Sequence, residues 1–428
     1  MKKELIISYE DDASKIALIE DGRLFELHEI KQNTDFVVGD IFVGKIKKLA
    51  PNLNAAFVNI GYEKDAFLHY QDLGPQYLTY RKFLQDTVSK RQQTSSLKNF
   101  QIQPEIDKHG TVDKVMAAQD EVLLQITKEP ISTKGPRIST QISLTGRFLV
   151  LIPFDNKVSI SKKVKSAEEK ARLKTLIESI KPEGFGVIIR TVAEGKKVAE
   201  LHNDMNQLVD KWNVCFKNIQ KNKTPAKVLS EEDKASAILR DNFNQDFVSI
   251  ICDDEQMVND MKNYLEVIAP ERKNIVQFYD SHIPLLEYYN VEKQLKQSFG
   301  KHVNIPSSKG AYLVIEHTEA LHVVDVNSGN NISSGTANKE HALNVNKMAA
   351  TEIARQLRLR DMGGIIVVDF IDMPNPDHRK ELYEHLREEM KRDKAKHKIL
   401  PPSKFGLIQI TRQRVRPEKQ IDTTEENP

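Results

Sequence analysis

The segment Gly363-Gly-Ile-Ile-Val-Val-Asp-Phe-Ile-Asp-Met373 joins a helix end, a strand and a polar turn. A helix predicted from about Lys339 to Arg360 precedes it, and the paired glycines end that helix. The apolar run Ile365–Val368 then predicts a fully buried strand. A second predicted strand, His322-Val-Val-Asp325, also places an aspartate directly after valines. Together these elements indicate an α/β sheet.

These two strands suggest a ligand site, because ligands of α/β sheets bind at the carboxyl ends of strands. Asp325 and Asp369 could together hold a Mg²⁺ ion, which prefers oxygen ligands and often takes only one or two carboxylates. Asn327 lies on the same side of an extended chain as Asp325 and could orient it by hydrogen bonding. The alternative from spacing alone is that both aspartates cap the loops that follow.

Length and composition limit the classes of protein that fit. The chain has 428 residues, which indicates two to four domains. Its 63 basic and 61 acidic side chains nearly cancel, so a polyanion must be bound by local patches. Two cysteines, Cys215 and Cys252, exclude a disulfide scaffold and a zinc site built on several thiolates. No apolar run is long enough to span a bilayer, and we expect a cytoplasmic protein.

The first third of the sequence is rich in strand signals. Asp21-Gly22 between two alternating runs predicts a hairpin within residues 1–35. Short strand-like bursts over 37–73, with a closing strand at 121–126, predict a small β-barrel. The polar stretch 75–118 interrupts it and is predicted to be a mobile, basic insertion.

Two aromatic residues in this barrel could contact nucleic acid. Barrels of the OB type bind single strands on an open face, where aromatic side chains stack on bases. Phe57 and Phe67 lie in successive strand-like runs, with Lys134 and the lysines at 45, 47 and 48 nearby. Taken one at a time, the phenylalanines fit the barrel core better, and the pair with its basic flanks favours an RNA contact only modestly.

Residues 137–230 predict a small α/β module, with a helix near 165–180 and a strand at 186–190. Arg190-Thr191 ends that strand, and Gly146 and Val150 lie in the preceding strand region. An arginine fork, a hydroxyl and exposed backbone N–H groups near a glycine suit a terminal phosphate. Arg-Thr at a strand end is common, however, and by itself indicates little. A further helix is predicted to open at 230–233, before a strand at 248–252.

Several of these stretches occur in one order that resembles the ribonuclease E/G family. They are Asn54-Ala-Ala-Phe-Val-Asn-Ile-Gly61, Ser143-Leu-Thr-Gly-Arg-Phe-Leu-Val150, Ile188-Ile-Arg-Thr191, Val324-Asp-Val-Asn-Ser-Gly329, Glu352-Ile-Ala-Arg-Gln-Leu-Arg-Leu-Arg-Asp361 and Gly363–Met373. The resemblance covers nearly the whole chain.

The resemblance implies a multidomain α/β protein with a β-barrel. A ribonuclease H-like scaffold (1–36 and 231–300) would be split by two insertions. These are an OB-fold RNA-binding barrel (37–128, with the basic insertion 75–118) and a 5′-phosphate sensor module (129–230). A deoxyribonuclease I-like catalytic domain (301–416) would follow, and 417–428 would be a tail that starts a missing linker.

The resemblance also implies a function. We expect a Mg²⁺-dependent endoribonuclease that cleaves single-stranded, AU-rich RNA in ribosomal RNA processing and messenger RNA decay. A 5′-monophosphate end would stimulate it, and the products would carry a 5′-phosphate and a 3′-hydroxyl. The implied residues are, for metal and catalysis, Asp325, Asp369 and Asn327; for RNA binding, Phe57, Phe67 and Lys134; and for the 5′-phosphate, Gly146, Val150, Arg190, Thr191 and Lys396.

Two departures from the family pattern stand out. The Cys-Pro-x-Cys zinc link expected after Thr411-Arg-Gln-Arg414 is missing, so zinc is not expected and homodimerisation must be tested. Lys396 stands where an arginine is expected, and a lysine offers a point charge without a bidentate fork. The alternative function is a non-catalytic RNA-binding or ribosome-assembly scaffold, which would need neither Asp325 nor Asp369.

Overall fold

The computed structural model describes residues 2–10, 13–31, 36–130, 134–231, 239–240, 243, 246–308, 310–329, 337–414 and 418–419. The chain forms two compact units. Unit 1 contains residues 1–32 and 243–428, and unit 2 contains residues 33–242. The helix predicted to open at 230–233 falls largely outside the described residues.

The secondary structure elements are numbered along the chain. The strands are β1 Lys3–Glu10, β2 Ala13–Glu20, β3 Arg23–Lys31, β4 Ile41–Ala50, β5 Ala55–Asn59, β6 Ala66–His69, β7 Glu121–Lys128, β8 Arg137–Ser139, β9 Leu144–Thr145, β10 Leu149–Pro153, β11 Val158–Ile160, β12 Phe185–Ile189, β13 Ala226–Leu229, β14 Phe247–Cys252, β15 Val276–Phe278, β16 His302–Asn304, β17 Tyr312–His317, β18 Leu321–Asn327, β19 Gly364–Asp369, β20 His397–Ile399 and β21 Ile408–Arg412. The helices are α1 Tyr77–Val88, α2 Val112–Val115, α3 Ala167–Ile180, α4 Val198–Lys221, α5 Glu255–Ile268, α6 Leu285–Tyr288, α7 Val291–Phe299, α8 Ala337–Leu359 and α9 Pro376–Met390.

Unit 2 contains the predicted barrel. Its sheet has the order β13-β4-β5-β6-β8-β7, and the additional pairing of β4 with β7 closes five of these strands into a barrel. Alternate residues of each strand, such as Ala56 and Val58 of β5 and Leu68 of β6, fill the interior. The strands β8 and β13, which lie within 129–230, therefore belong to the barrel sheet.

The insertion at 75–118 is packed, so the prediction of a mobile segment is wrong. Helix α1 fills its first part and buries Phe83, whose ring stacks on Trp212 of α4 with centroids 5.4 Å apart. The hydroxyl of Tyr80 donates to the carbonyl of Pro153 at 3.0 Å. The polar composition hid an apolar stripe at helical spacing, and this stripe anchors the insertion.

The rest of unit 2 is the predicted small α/β module. Its sheet has the order β11-β12-β10-β9. The apolar face of α4, with Leu201, Met205, Leu208 and Trp212, is buried in the same core as β10 and β12. The helix predicted near 165–180 is confirmed as α3.

In unit 1, the N-terminal strands share one sheet with residues far along the chain. The order is β15-β14-β1-β2-β3, and β1 pairs in parallel with β14. Asp21 and Gly22 both have positive φ, 47° and 77°, between β2 and β3, as a tight hairpin turn requires. The predicted hairpin is confirmed, and the three strands β1–β3 share one sheet with β14 and β15.

The second sheet of unit 1 carries the two aspartates. Its order is β16-β17-β18-β19-β21-β20. Helices α8 and α9 bury one face of this sheet, which includes Ile366 and Val368. The prediction that Ile365–Val368 is fully buried is wrong, because Ile365 on the opposite face is 41% exposed. Helices cover only one face, so only alternate side chains of β19 are buried.

Candidate active site

Asp325 and Asp369 occupy adjacent parallel strands in direct register. Asp325 pairs with Asp369 between β18 and β19, as Val324 pairs with Val368 one position earlier. Both carboxylates are exposed, whereas Val324 and Val368 are buried beneath them. Neighbouring strands lie about 4.8 Å apart. Two carboxylates that are 44 positions apart in sequence therefore meet on the open face of one sheet.

Asn327 lies two residues after Asp325, on the same face of β18. Its amide nitrogen Nδ2 donates to Oδ2 of Asp325 at 2.8 Å. This bond fixes one carboxylate oxygen, Oδ2. The orientation of Asp325 by Asn327 was predicted from the sequence, and the geometry agrees with it.

The donor set around these strands suits a hard divalent cation. Two exposed carboxylates in register, one held by an amide, match the one or two carboxylates that Mg²⁺ takes when water and substrate oxygens complete its octahedron. Among the residues that the structure describes, no cluster of three or more histidine, cysteine, aspartate or glutamate side chains is arranged to bind a metal. The pair therefore fits an ion that the substrate helps to coordinate.

The two aromatic residues predicted to bind RNA lie on the outer surface of the barrel. Phe57 and Phe67 pair directly across β5 and β6, and their rings meet edge to face with centroids 5.8 Å apart. Both are half-buried, and they alternate with the core residues Ala56, Val58 and Leu68. Nζ of Lys48 lies 5.0 Å from the centre of the Phe57 ring. The interpretation of Phe57 and Phe67 as barrel core residues is therefore wrong.

Other basic residues border this aromatic pair. Lys134 is exposed, and Lys47 forms an ion pair with Asp65 at 3.0 Å. The sequence reading missed Arg137, which is in register with Phe67 and pairs with Asp72 at 2.8 Å. Arg137 follows the turn predicted at 130–136, and nothing in the local sequence indicated that it would lie in register with Phe67.

The four residues predicted for a terminal phosphate lie next to one another in the α/β module. Nη1 of Arg190 donates to the carbonyl oxygens of Gly146, at 2.7 Å, and Arg147, at 3.3 Å. Val150 pairs with Ile188, two residues before Arg190. The hydroxyls of Thr191 and Ser161 lie 3.0 Å apart.

A buried carboxylate, Asp204, organises this region and was missed from the sequence. It accepts hydrogen bonds from the backbone N–H groups of Arg147, Phe148 and Leu149, each at 2.9 Å. Burial raises the pKa of Asp204, while these three donors and the charge of Arg190 oppose that rise. The available signal was an aspartate on the apolar face of a helix, between Leu201 and Leu208.

Gly146 is required by this arrangement. A Cβ atom at that position would lie 2.7 Å from Oδ1 and 2.8 Å from Oδ2 of Asp204. Two cationic groups also lie close to this loop. The Arg147 guanidinium and Nζ of Lys196 are 5.0 and 5.5 Å from the centre of the Phe148 ring. The prediction of exposed N–H groups at this loop is wrong, because those of 147–149 donate to Asp204 and that of Gly146 donates to the carbonyl of Leu149. The positive charge near the loop comes from Arg190 and the two further cations.

Lys396 is exposed and lies in unit 1, whereas the other four residues predicted for the phosphate site lie in unit 2. Its contribution to that site stays a prediction. The tail in which the zinc link was expected falls mostly outside the described residues. In the described ranges, no helix combines the length and the apolar character needed to cross a membrane.

Comparison with known proteins agrees with the motifs. A sequence model described as the Ribonuclease E/G family matches residues 143–415. Ribonuclease E of Nostoc sp. (strain PCC 7120) is 35% identical over 418 residues, which cover 97% of this chain and 56% of that protein. Ribonuclease G of Haemophilus influenzae is 33% identical over 414 residues, covering 96% and 80%. Ribonuclease G of Escherichia coli (strain K12) is 31% identical over 417 residues, covering 97% and 81%.

The chain therefore spans little more than half of that ribonuclease E and four fifths of the two ribonucleases G. The family match includes both aspartates and the residues around Arg190. The resemblance predicted from the motifs is confirmed. The chain belongs to the ribonuclease E/G family, a family of endoribonucleases.

Proposed function

We propose that this chain is an endoribonuclease that cleaves single-stranded RNA at the Asp325 and Asp369 pair. The observation that carries the proposal is the direct register of two exposed carboxylates on adjacent strands, with Asn327 bonded to one of them. A binding protein without catalysis has no need for two like charges one strand spacing apart, since they repel each other.

Each residue of this site would have a separate role. Asp325 and Asp369 would hold the cation, and Asn327 would keep the Asp325 carboxylate in one orientation. When bound, Mg²⁺ supplies Lewis-acid stabilisation of the charge on the scissile phosphate. The buried valines beneath the pair keep both strands rigid, so the carboxylates stay in position without the substrate.

We propose that the products carry a 5′-phosphate and a 3′-hydroxyl, and that AU-rich single strands are preferred in ribosomal RNA processing and messenger RNA decay. The aromatic pair on the barrel supports single-stranded binding. Phe57 and Phe67 offer ring faces for bases, and Lys48 and Lys134 offer charge for the backbone. Such base stacking tolerates different sequences.

The loop at 146–149 and Arg190 are proposed to bind a 5′-monophosphate end. Support comes from Arg190, whose Nη1 contacts the carbonyl oxygens of Gly146 and Arg147, from Thr191 next to it in sequence, and from the two cations near the Phe148 ring. Asp204 would act as a positioning residue, because its carboxylate holds the loop through three N–H groups.

The test of cleavage uses a 5′-monophosphorylated, AU-rich oligonucleotide with Mg²⁺. We expect Asp325→Asn and Asp369→Asn to abolish cleavage while RNA binding persists. Glu319→Gln is the matched control, because this exposed acid lies in the turn at the opposite end of β18. Cleavage by both aspartate variants at the wild-type rate would overturn the assignment, and binding without cleavage in the wild type would favour the scaffold alternative.

The test of the phosphate site compares substrates with a 5′-monophosphate and a 5′-hydroxyl. We expect Arg190→Ala to slow cleavage of the first and to leave the second nearly unchanged. Lys174→Ala is the control, since Lys174 is an exposed cation of the same module, 3.8 Å from Glu178. Equal loss on both substrates would assign Arg190 a structural role. Sedimentation with and without RNA tests homodimerisation in the same preparations.

A further inference from the structure

The turn Ser403–Leu407 exposes an aromatic side chain to an unusual degree. Phe405 is 89% exposed, whereas among the other large apolar side chains in the described part of the chain the highest values are 57% for Leu53 and 56% for Tyr288. Single apolar residues at partial exposure are normal on protein surfaces. A phenylalanine held almost entirely in water at the tip of a turn calls for a physical reason.

The turn is ordered by its own hydrogen bonds. Oγ of Ser403 accepts from the backbone N–H groups of Phe405 and Leu407, both at 3.2 Å. The backbone N–H of Ser403 donates to Leu407 at 2.9 Å, and that of Gly406 donates back to Ser403 at 3.0 Å. Gly406 has a φ of 85°, which closes the turn. The backbone therefore presents Phe405 and the exposed Lys404 in a fixed direction.

This turn emerges at the same sheet edge as the catalytic aspartates. Strand β21 runs antiparallel to β19, and Ile408 pairs with Val368, the residue before Asp369. The turn directly precedes Ile408, so it leaves the sheet where β18 and β19 end. Leu407 is thus about one strand spacing, ~4.8 Å, from the strand that carries Asp369.

We propose that the Ser403–Leu407 turn is an RNA contact, in which Phe405 stacks on an unpaired nucleobase and Lys404 neutralises a neighbouring phosphate. The inference rests on the proposed function and names a binding element for that same site. A rigid aromatic face binds a base at low entropic cost, and an adjacent lysine supplies the charge that the backbone needs. The turn would hold the strand beside the carboxylate pair.

A nucleobase fits this turn better than a second copy of the chain. A stable interface buries about 800 Å² on each partner, and one ring on a narrow turn offers only a small part of that area. Lys404 is exposed and its side chain forms no hydrogen bond or ion pair within the part of the chain that the structure describes. A charged residue beside the aromatic suits a polyanion and disfavours an apolar contact.

The test measures binding of a fluorescent single-stranded oligonucleotide to the full chain in EDTA, so that the result does not depend on cleavage. We expect Phe405→Ala and Phe405→Leu to weaken binding about 5- to 100-fold, the loss expected for one base–aromatic stack, and Phe405→Tyr to bind like the wild type. Phe278→Ala is the matched control, because Phe278 is a half-exposed aromatic residue of the same unit.

Two further readouts separate stacking from general loss of affinity. We expect the fluorescence of the Phe405→Trp variant to be quenched by RNA, because the one native tryptophan, Trp212, is buried. Lys404→Ala should lower the slope of log affinity against log salt by about one, as expected for one phosphate contact.

Unchanged RNA affinity in Phe405→Ala would overturn the proposal, as would full retention of affinity by Phe405→Leu. A change in sedimenting mass without a change in RNA binding would assign the turn to contact between copies. Because binding is measured without metal, a wild-type chain that binds but does not cleave refutes the proposed function while the stacking result still stands.

Discussion

The buried charge cluster between α8 and the N-terminal hairpin predicts a large effect for Arg358→Leu. Nη2 of Arg358 lies 2.8 Å from Oε1 of Glu26 and 3.2 Å from Oε1 of Glu20. The arginine and Glu20 side chains are almost fully buried, and the guanidinium also lies 5.0 Å from the centre of the Phe25 ring. Leucine would occupy part of the volume of the arginine side chain and would leave the carboxylates of Glu20 and Glu26 without the guanidinium.

The expected cost follows from the desolvation of the carboxylates. Removing one partner of a buried ion pair typically costs about 3–5 kcal/mol, because the other charge stays buried. In a unit of about 220 residues, each kcal/mol lowers the melting temperature by about 2–4 °C. We therefore expect unit 1 to melt about 6–20 °C lower in this variant. Arg392→Leu, which removes an exposed pair with Glu389 at 3.7 Å, should cost less than about 1 kcal/mol.

The sequence offers a convenient assay. Trp212, the one tryptophan, lies in unit 2, so its fluorescence follows that unit, whereas circular dichroism follows both. We expect Arg358→Leu to move the transition seen by circular dichroism and to leave the Trp212 transition in place. A melting shift as small as that of Arg392→Leu would refute the reasoning.

The pH dependence gives a second check on the same variant. Burial alone would raise the pKa of Glu26, but the hydrogen bond with His28 and the charge of Arg358 outweigh it, so the pKa is lowered. A carboxylate with a lowered pKa in the folded state stabilises the protein above its ordinary pKa, about 4.3, and loses that contribution as the pH falls further. The difference in unfolding free energy between wild type and Arg358→Leu should therefore stay nearly constant near neutral pH and narrow as the pH falls below about 4.3. A gap that widens with acid would contradict the assignment.

Three other predictions concern the functional surfaces. Gly146→Ala places a Cβ 2.7 Å from Oδ1 of Asp204. We expect the ratio of initial cleavage rates on 5′-monophosphate and 5′-hydroxyl RNA to fall at least about tenfold, ~1.4 kcal/mol, while the rate on 5′-hydroxyl RNA changes little. Phe57→Ala should weaken oligonucleotide binding about 5- to 100-fold by fluorescence anisotropy, with little change in melting temperature because the ring lies outside the barrel core. EDTA should abolish cleavage and added Mg²⁺ restore it, while oligonucleotide affinity stays constant.

The sequence predicted those features that depend on neighbours along the chain. Asp21-Gly22 specified a hairpin turn, and the alternating runs at 37–73 specified a barrel. The glycines at 363 and 364 marked the end of α8, and the valines before Asp369 marked the end of β19. The strand end predicted at Asp325 is wrong, because β18 continues to Asn327. Each of these signals comes from backbone preference or side-chain spacing within a few residues.

Features that depend on more distant packing were missed or misread. The polar composition of 75–118 suggested a loose segment, but Phe83 finds its partner in Trp212, 129 positions later. The apolar run at 365–368 suggested burial on both faces, but helices cover only one. Asp204 contacts a loop more than 50 positions away, and nothing near it in sequence indicates that loop.

By itself, then, the sequence determined which side chains end the strands and which residues alternate on the barrel. Only the tertiary structure decided that Asp325 stands opposite Asp369, that Phe57 and Phe67 face outward, and that the Phe405 turn leaves the sheet at the aspartate edge. The physical reason is the range of the interactions involved. Turn and strand preferences are local, whereas register is fixed by hydrogen bonds and packing between strands that are far apart in the chain.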